Sequence, residues 1–356
     1  MGAISIDRRD RAALAGAVSP FAEQHNSFTM DGLWRPTTVS SDLNAFVERV
    51  RAGDPRALAR AISAIEDRDG RATELLKALF PHTGKARVIG LTGAPGSGKS
   101  TLVDQLGREY RKQGKTVGIV AVDPTSPYTG GAILGDRIRM QAHHGDPGIY
   151  IRSMATRGFL GGLARTTADA TTVLDAAGKD VILIETVGVG QDEVDIVRLA
   201  DVTIVILVPG MGDDVQTIKA GIMEIADVFV INKADREGAE RVEREIRAMQ
   251  TLAIRSDHWT PPIVKTVATE GSGVAELMAA IASYEKFLEK ENLAATKKAG
   301  NWRERLIEML REAMLERVRR EHLTEDELGR FAAEIAAHRR DPYALVEEIA
   351  ARVGQR

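Results

Sequence analysis

The stretch that decides the fold is Gly93-Ala94-Pro95-Gly96-Ser97-Gly98-Lys99-Ser100, followed by Thr101. It fits the pattern G-x-x-x-x-G-K-[ST], which carries chemistry where a strand leads into it and a helix leads out. Both flanks are present: Val88 to Leu91 is a short apolar run, and residues 101 to 112 read as a helix. Glycines let successive backbone N–H groups converge on an anion without Cβ interference, and the following helix directs its positive end at the same point. Lys99 is then expected to bridge the β and γ phosphates of a nucleoside triphosphate, and the Ser100 hydroxyl to ligate magnesium.

Outward from this loop, apolar runs recur at Val117 to Val122, Ile149 to Ile151, Val181 to Ile184, Val202 to Val208, Val228 to Ile231 and Ile263 to Val267. Helix-length segments separate most of them. Continuous rather than alternating apolarity implies strands covered on both faces, the habit of a parallel sheet between helices. The expected fold is α/β, a three-layer P-loop NTPase with a mostly parallel central sheet over residues 85–290.

Upstream, residues 39–84 carry a helical period through Leu43, Phe46, Val47 and Val50, break at Gly53-Asp54-Pro55, and resume with Leu58, Ala61, Ile62 and Ile65. A third helix with Leu75, Leu76 and Leu79 stops before Pro81, completing an expected N-terminal helical cap. Residues 1–38 show no sustained period and read as a tail with little order. Downstream, residues 291–356 read as a C-terminal helical arm. Leu306, Met309, Leu310 and Ala313 recur among Arg and Glu, Thr324 with Glu327 forms a capping box, and Asp341-Pro342 opens a last helix. Such an arm has no core of its own, so it either lies against the α/β domain or pairs with another subunit.

Three further motifs close predicted strands, where an open α/β sheet presents residues to a ligand. Asn232-Lys233-Ala234-Asp235 follows Val228 to Ile231. The Asp235 carboxylate can accept from guanine N1–H and its 2-amino group, whereas adenine offers neither, so Asn232, Lys233 and Asp235 are expected to read guanine. Backbone N–H groups of Val267, Ala268 and Thr269, at the end of the last strand, are expected to complete the base pocket. Glu185-Thr186-Val187-Gly188 has the shape of a γ-phosphate sensor, with Glu185 on magnesium or its water and the Gly188 N–H on the phosphate. The water-orienting Gln that often follows such a glycine is replaced by Val189, with Gln191 two positions on. Asp123, ending the second strand, suits a magnesium ligand, a water-orienting carboxylate or a turn cap. Asp136, in a glycine-rich stretch able to move, joins Ser100, Asp123 and Glu185 as a candidate magnesium ligand. His143-His144 reads as a surface pair, and Gly158 to Gly162 carries no assigned chemistry.

Composition removes several alternatives. The chain of 356 residues has no cysteine, which excludes disulfides and thiolate chemistry. A net charge of -3 offers no basic face for nucleic acid. No apolar run approaches the ~18 residues of a membrane span. Arg8, Arg9, Asp10 and Arg11 interrupt any early apolar stretch, so no secretory signal is expected and the cytoplasm is the expected compartment.

With these motifs in place, the chain resembles the SIMIBI-class GTPases of the MeaB/ArgK type. The likeness rests on Val122-Asp123-Pro124-Thr125-Ser126, Thr129-Gly130-Gly131-Ala132-Ile133-Leu134-Gly135-Asp136, Glu185-Thr186-Val187-Gly188-Val189-Gly190-Gln191 and Gln216-Thr217-Ile218-Lys219-Ala220-Gly221. It runs from about residue 41 to 290. The resemblance implies a homodimeric, Mg2+-dependent GTPase, cycling between GTP and GDP. It also implies a chaperone role for an adenosylcobalamin-dependent acyl-CoA mutase of the methylmalonyl-CoA type, gating cofactor loading and protecting or reactivating that enzyme. It further implies an additional switch at Met211 to Lys219, making Asp213, Gln216 and Lys219 candidates alongside Lys99 and Glu185 in partner-stimulated hydrolysis. Other readings of the same loop are a small-molecule kinase or transport-linked ATPase, a nickel-insertion GTPase, and a scaffold with a structural nucleotide. Asn232 to Asp235 weighs against the kinase, and the lack of cysteine and of a His tract against nickel.

Overall fold

Each of the seven apolar runs folds as a strand, and all seven join one parallel sheet. The computed structural model describes residues 41–67, 70–123, 145–155, 162–186, 199–210, 225–252, 255 and 257–353. In chain order the strands are β1 (Arg87–Gly93), β2 (Val117–Asp123), β3 (Ile149–Ala155), β4 (Val181–Glu185), β5 (Val202–Leu207), β6 (Val228–Asn232) and β7 (Ile263–Thr266). Their spatial order is β3-β2-β4-β1-β5-β6-β7. The chain runs outward from β1 to β3, comes back to set β4 between β2 and β1, and then winds outward on the other side of β1 through β5, β6 and β7, which makes the end of β1 the switch point of the sheet.

Burial on both faces follows from the helices. On one face, α4 (Lys99–Lys112) and α7 (Val274–Lys290) cover Ile89, Leu91, Ile119, Leu183, Ile204 and Val230. On the other, α6 (Ala239–Leu252) packs Val242 and Ile246 on Val205, Phe229 and Ile231. The remainder of that second face is covered by α5 (Gly162–Ala176) together with the three N-terminal helices α1 (Ser41–Arg51), α2 (Pro55–Glu66) and α3 (Ala72–Leu79). Leu58, Ile62 and Leu79 share a core with Val173, Ile182 and Ile184, so the N-terminal helices are part of the α/β core's second layer. Asp54 starts α2 by accepting from Arg56 N and Ala57 N at 2.8 and 3.2 Å, with Pro55 in the first turn.

The arm consists of α8 (Ala294–Glu321), α9 (Glu325–Ala336) and α10 (Pro342–Val353). The Thr324–Glu327 capping box is formed, with Thr324 N donating to Glu327 at 2.9 Å and Glu327 N to Thr324 Oγ1 at 3.3 Å. Helix α8 lies on the α/β core through polar groups. Lys297 Nζ donates to Asp201 O, Asp227 Oδ2 and Tyr284 Oη at 2.8, 2.8 and 3.0 Å. Arg305 donates to Asp169 at 2.8 Å, Arg165 pairs with Glu312, and Trp302 meets Phe80 edge-on at 5.5 Å. Its apolar residues Leu306, Leu310, Met314 and Leu315 stay exposed. Among the described residues no helix is long and apolar enough to cross a membrane.

Candidate nucleotide site

Because every strand is parallel, the ends of β1, β4, β6 and β7 emerge at one edge, and the residues singled out in the sequence gather there. Gly93 ends β1 opposite Ile206 of β5. Its φ is +150° and an added Cβ would lie 2.3 Å from Ile206 O, so only glycine lets the loop leave the sheet this closely. Ala94, Pro95 and Gly96 form the crest, closed by Ser97 N donating to Ala94 O at 3.1 Å. Gly98, at φ +92°, is the N-cap of α4, which begins at Lys99, two residues earlier than the sequence pattern suggests. The first N–H groups of α4, including Lys99, Ser100 and Thr101, thus face the loop from a helix N-terminus.

Lys99 is 6% exposed, and its Nζ donates to Gly93 O at 2.7 Å and Ala94 O at 3.1 Å. The ammonium is thereby held inside the loop rather than in solvent. Ser100 Oγ donates to Glu185 Oε1 at 2.6 Å. Glu185 ends β4, in register with Leu91 of β1, and is buried. Two hard oxygen donors at this spacing suit a divalent cation that takes its other ligands from water and phosphate. Among the described residues no group of three or more His, Asp or Glu converges as a metal site. Thr186, next in the chain, is pinned by its N–H to Leu91 O at 3.2 Å and by its hydroxyl to Thr92 Oγ1 at 3.2 Å.

Asn232 is the hub between the motifs. Its Nδ2 donates to Ser97 O at 2.8 Å, and its Oδ1 accepts from Thr266 Oγ1 and Ala268 N, each at 3.1 Å. The side chain is 2% exposed and ties the phosphate loop, β6 and the loop after β7 into one unit. Lys233 has φ 55° and reaches across to donate from Nζ to Gly96 O at 2.7 Å. Asp235, two residues on, is exposed at the same edge. Of the base-loop N–H groups, Val267 N donates to Ser272 O at 3.0 Å and Ala268 N to Asn232, which leaves Thr269 N with no partner among the described residues. Gln105 of α4 donates from Nε2 to Ala268 O at 2.9 Å.

Residues 58–323 match the family model described as methylmalonyl Co-A mutase-associated GTPase MeaB. The chain belongs to the MeaB family. A protein of Pyrococcus horikoshii named as a GTPase is 54% identical over 263 residues, spanning 72% of this chain and 82% of the relative. The GTPase ArgK of Escherichia coli K12 is 38% identical over 250 residues, 68% of this chain and 76% of its own length. The mitochondrial methylmalonic aciduria type A homolog of Mus musculus is 37% identical over 254 residues, 65% of this chain and 61% of the relative. Among solved structures, that of an LAO/AO transport system kinase has a TM-score of 0.67 at 24% identity and covers 90% of this chain and 100% of that one, a likeness of fold.

As a MeaB-family member the chain is a GTPase, binding guanine nucleotide and hydrolysing GTP. Several candidates fall outside the described residues: the 1–38 tail, Asp136, His143, His144, Gly188, Val189, Gln191, Asp213, Gln216 and Lys219. Asp123 is placed by its backbone at the end of β2. Three contacts in this MeaB-family site escape a reading by motif: Thr266 on Asn232, Thr186 on Thr92, and Gln105 on Ala268. Each is a single polar residue whose partner is distant in sequence, so no local spacing marks it.

Proposed function

We propose that the chain is a magnesium-dependent GTPase that acts, as a homodimer, as a chaperone for an adenosylcobalamin-dependent acyl-CoA mutase of the methylmalonyl-CoA type, gating cofactor loading and protecting or reactivating the enzyme. The observation that carries the nucleotide part is the bond from Asn232 Nδ2 to Ser97 O, which sets the base-reading loop beside the phosphate loop at one sheet edge. One guanine nucleotide spans both. The N–H groups from Gly96 to Thr101 and the start of α4 cradle its phosphates, while Lys99 exchanges loop carbonyls for phosphate oxygens. Ser100 and Glu185 hold Mg2+, which when bound supplies charge neutralisation to the γ-phosphate. Asp235 accepts from guanine N1–H and the 2-amino group.

The mutase part is supported by likeness: the family's description refers to a methylmalonyl Co-A mutase, and the mouse relative's name to methylmalonic aciduria. The dimer is supported by the exposed Leu306, Leu310, Met314 and Leu315 of α8, which favour a covering surface. Affinity purification from the native cell with a non-hydrolysable GTP analogue tests the chaperone reading. Co-elution of a cobalamin-dependent acyl-CoA mutase is expected; its absence, while the protein still hydrolyses GTP, would contradict the assignment. Equal competition by ATP would instead favour a kinase or transport-linked ATPase, and tight stoichiometric nickel binding a nickel-insertion GTPase.

A further inference from the structure

Gln105 lies on α4, two turns from the phosphate loop, yet its side chain is spent on the far side of the site. Its Nε2 donates to Ala268 O at 2.9 Å, and its Oε1 lies 3.6 Å from where a Cβ on Gly271 would be. The loop it touches is a closed turn: Val267 N donates to Ser272 O at 3.0 Å and Glu270 N to Val267 O at 2.9 Å. Gly271 and Gly273 both have positive φ, and a Cβ on Gly273 would sit 2.0 Å from Lys265 O.

Ala268 is therefore gripped at both polar atoms, its N–H by Asn232 Oδ1 at 3.1 Å and its carbonyl by Gln105 at 2.9 Å and, over a longer distance, by Gly271 N at 3.4 Å. The carbonyl of Ala268 and the N–H of Thr269 belong to the same peptide plane. No cis peptide is present among the described residues, so these two groups point in opposite directions. Holding Ala268 O toward α4 fixes Thr269 N–H to point away from it. Thr269 N–H is also the member of the base-loop trio that no described protein group occupies.

We infer that Gln105 is a positioning residue of the base pocket: through Ala268 O it aims the Thr269 N–H at the 6-oxo group of a bound purine. This rests on the base-pocket reading above. A 6-oxopurine presents an acceptor there, whereas adenine presents an amino donor, so the aimed N–H adds to discrimination independently of Asp235. Without Gln105 the Ala268 carbonyl keeps the longer bond from Gly271 N, and the peptide loses part of this preorganisation, at most about the value of one hydrogen bond.

The test measures affinities of the full-length protein for GDP, IDP and ADP in Gln105→Met and in the isosteric Gln105→Glu, which removes the donor while keeping the packing. IDP carries the 6-oxo group without the 2-amino group. Both variants are expected to weaken GDP and IDP by the same factor, roughly five- to tenfold, with ADP unchanged. Gln105→Lys, which keeps a donor, should restore most of the loss. Equal weakening of all three nucleotides, or unchanged GDP and IDP binding, would overturn the inference. Asp235→Asn separates the two levels. If it fails to move preference toward xanthine nucleotides, the base-pocket reading itself fails; if it succeeds while the Gln105 variants bind GDP normally, only the role of Gln105 is lost.

Discussion

Ser100 and Glu185 stand 85 positions apart in the chain, yet the serine hydroxyl donates to the glutamate carboxylate at 2.6 Å. The contact exists because β1 and β4 are neighbours with Leu91 opposite Glu185, so the helix that starts after β1 lays its second residue on the end of β4. Ser100 and Glu185 are thereby presented as a pair by the strand order alone.

Replacing Glu185 with Gln should raise the magnesium concentration needed for half-maximal GTP hydrolysis by about 10- to 100-fold, as for the loss of one orienting group at a metal site. Phosphate release followed across a magnesium titration reads this directly. An unchanged magnesium dependence would remove Glu185 from the metal site.

Lys99→Ala removes the ammonium that Gly93 O and Ala94 O hold within the loop. A charge-assisted bond to phosphate is worth about 1.5–3 kcal/mol, so triphosphate affinity by calorimetry should fall at least about tenfold. Retained affinity would separate the loop from phosphate binding.

Asn232→Ala unties Ser97 O, Thr266 Oγ1 and Ala268 N together. Leaving these buried groups unsatisfied should cost about 3 kcal/mol in urea unfolding, with weaker guanine nucleotide binding as well. An unfolding midpoint equal to that of the parent would show that the hub is dispensable.

Lys297→Met withdraws the cation that joins α8 to Asp227, a carboxylate also held by Thr203 N at 2.9 Å and by Arg255 at 3.2 Å. Because Arg255 remains, the expected loss is about 2 kcal/mol rather than that of a wholly uncompensated buried charge. Faster protease cleavage within residues 294–353 should accompany it. Unaltered cleavage would mean that α8 is anchored elsewhere.

The sheet was legible in the sequence because helices on both faces leave each strand a continuous apolar run, as in Val181 to Ile184 or Val228 to Ile231. The phosphate loop and Asn232 to Asp235 were legible because each motif is contiguous and follows a strand. Less was visible where the cause is tertiary. Nothing local in Leu58 or Ile62 says that they will share a core with Ile182, and nothing in Lys297 names Asp227 as its partner. The arm's opening turns were hidden for the same reason: α8 starts at Ala294 among Lys and Ala, before the apolar period at Leu306 begins. Asn232 was legible as a site residue, but its work as a strut to Ser97 follows only from the strand order that sets β6 two places from β1.

The claim on which everything turns is that one guanine nucleotide lies across the phosphate loop with its base on Asp235. Competition binding of xanthosine and guanosine triphosphates to Asp235→Asn measures it most directly, since an amide can donate to the 2-oxo group of xanthine where the carboxylate accepted from guanine. The variant should prefer xanthosine triphosphate; undiminished preference for GTP would contradict a guanine base seated on Asp235.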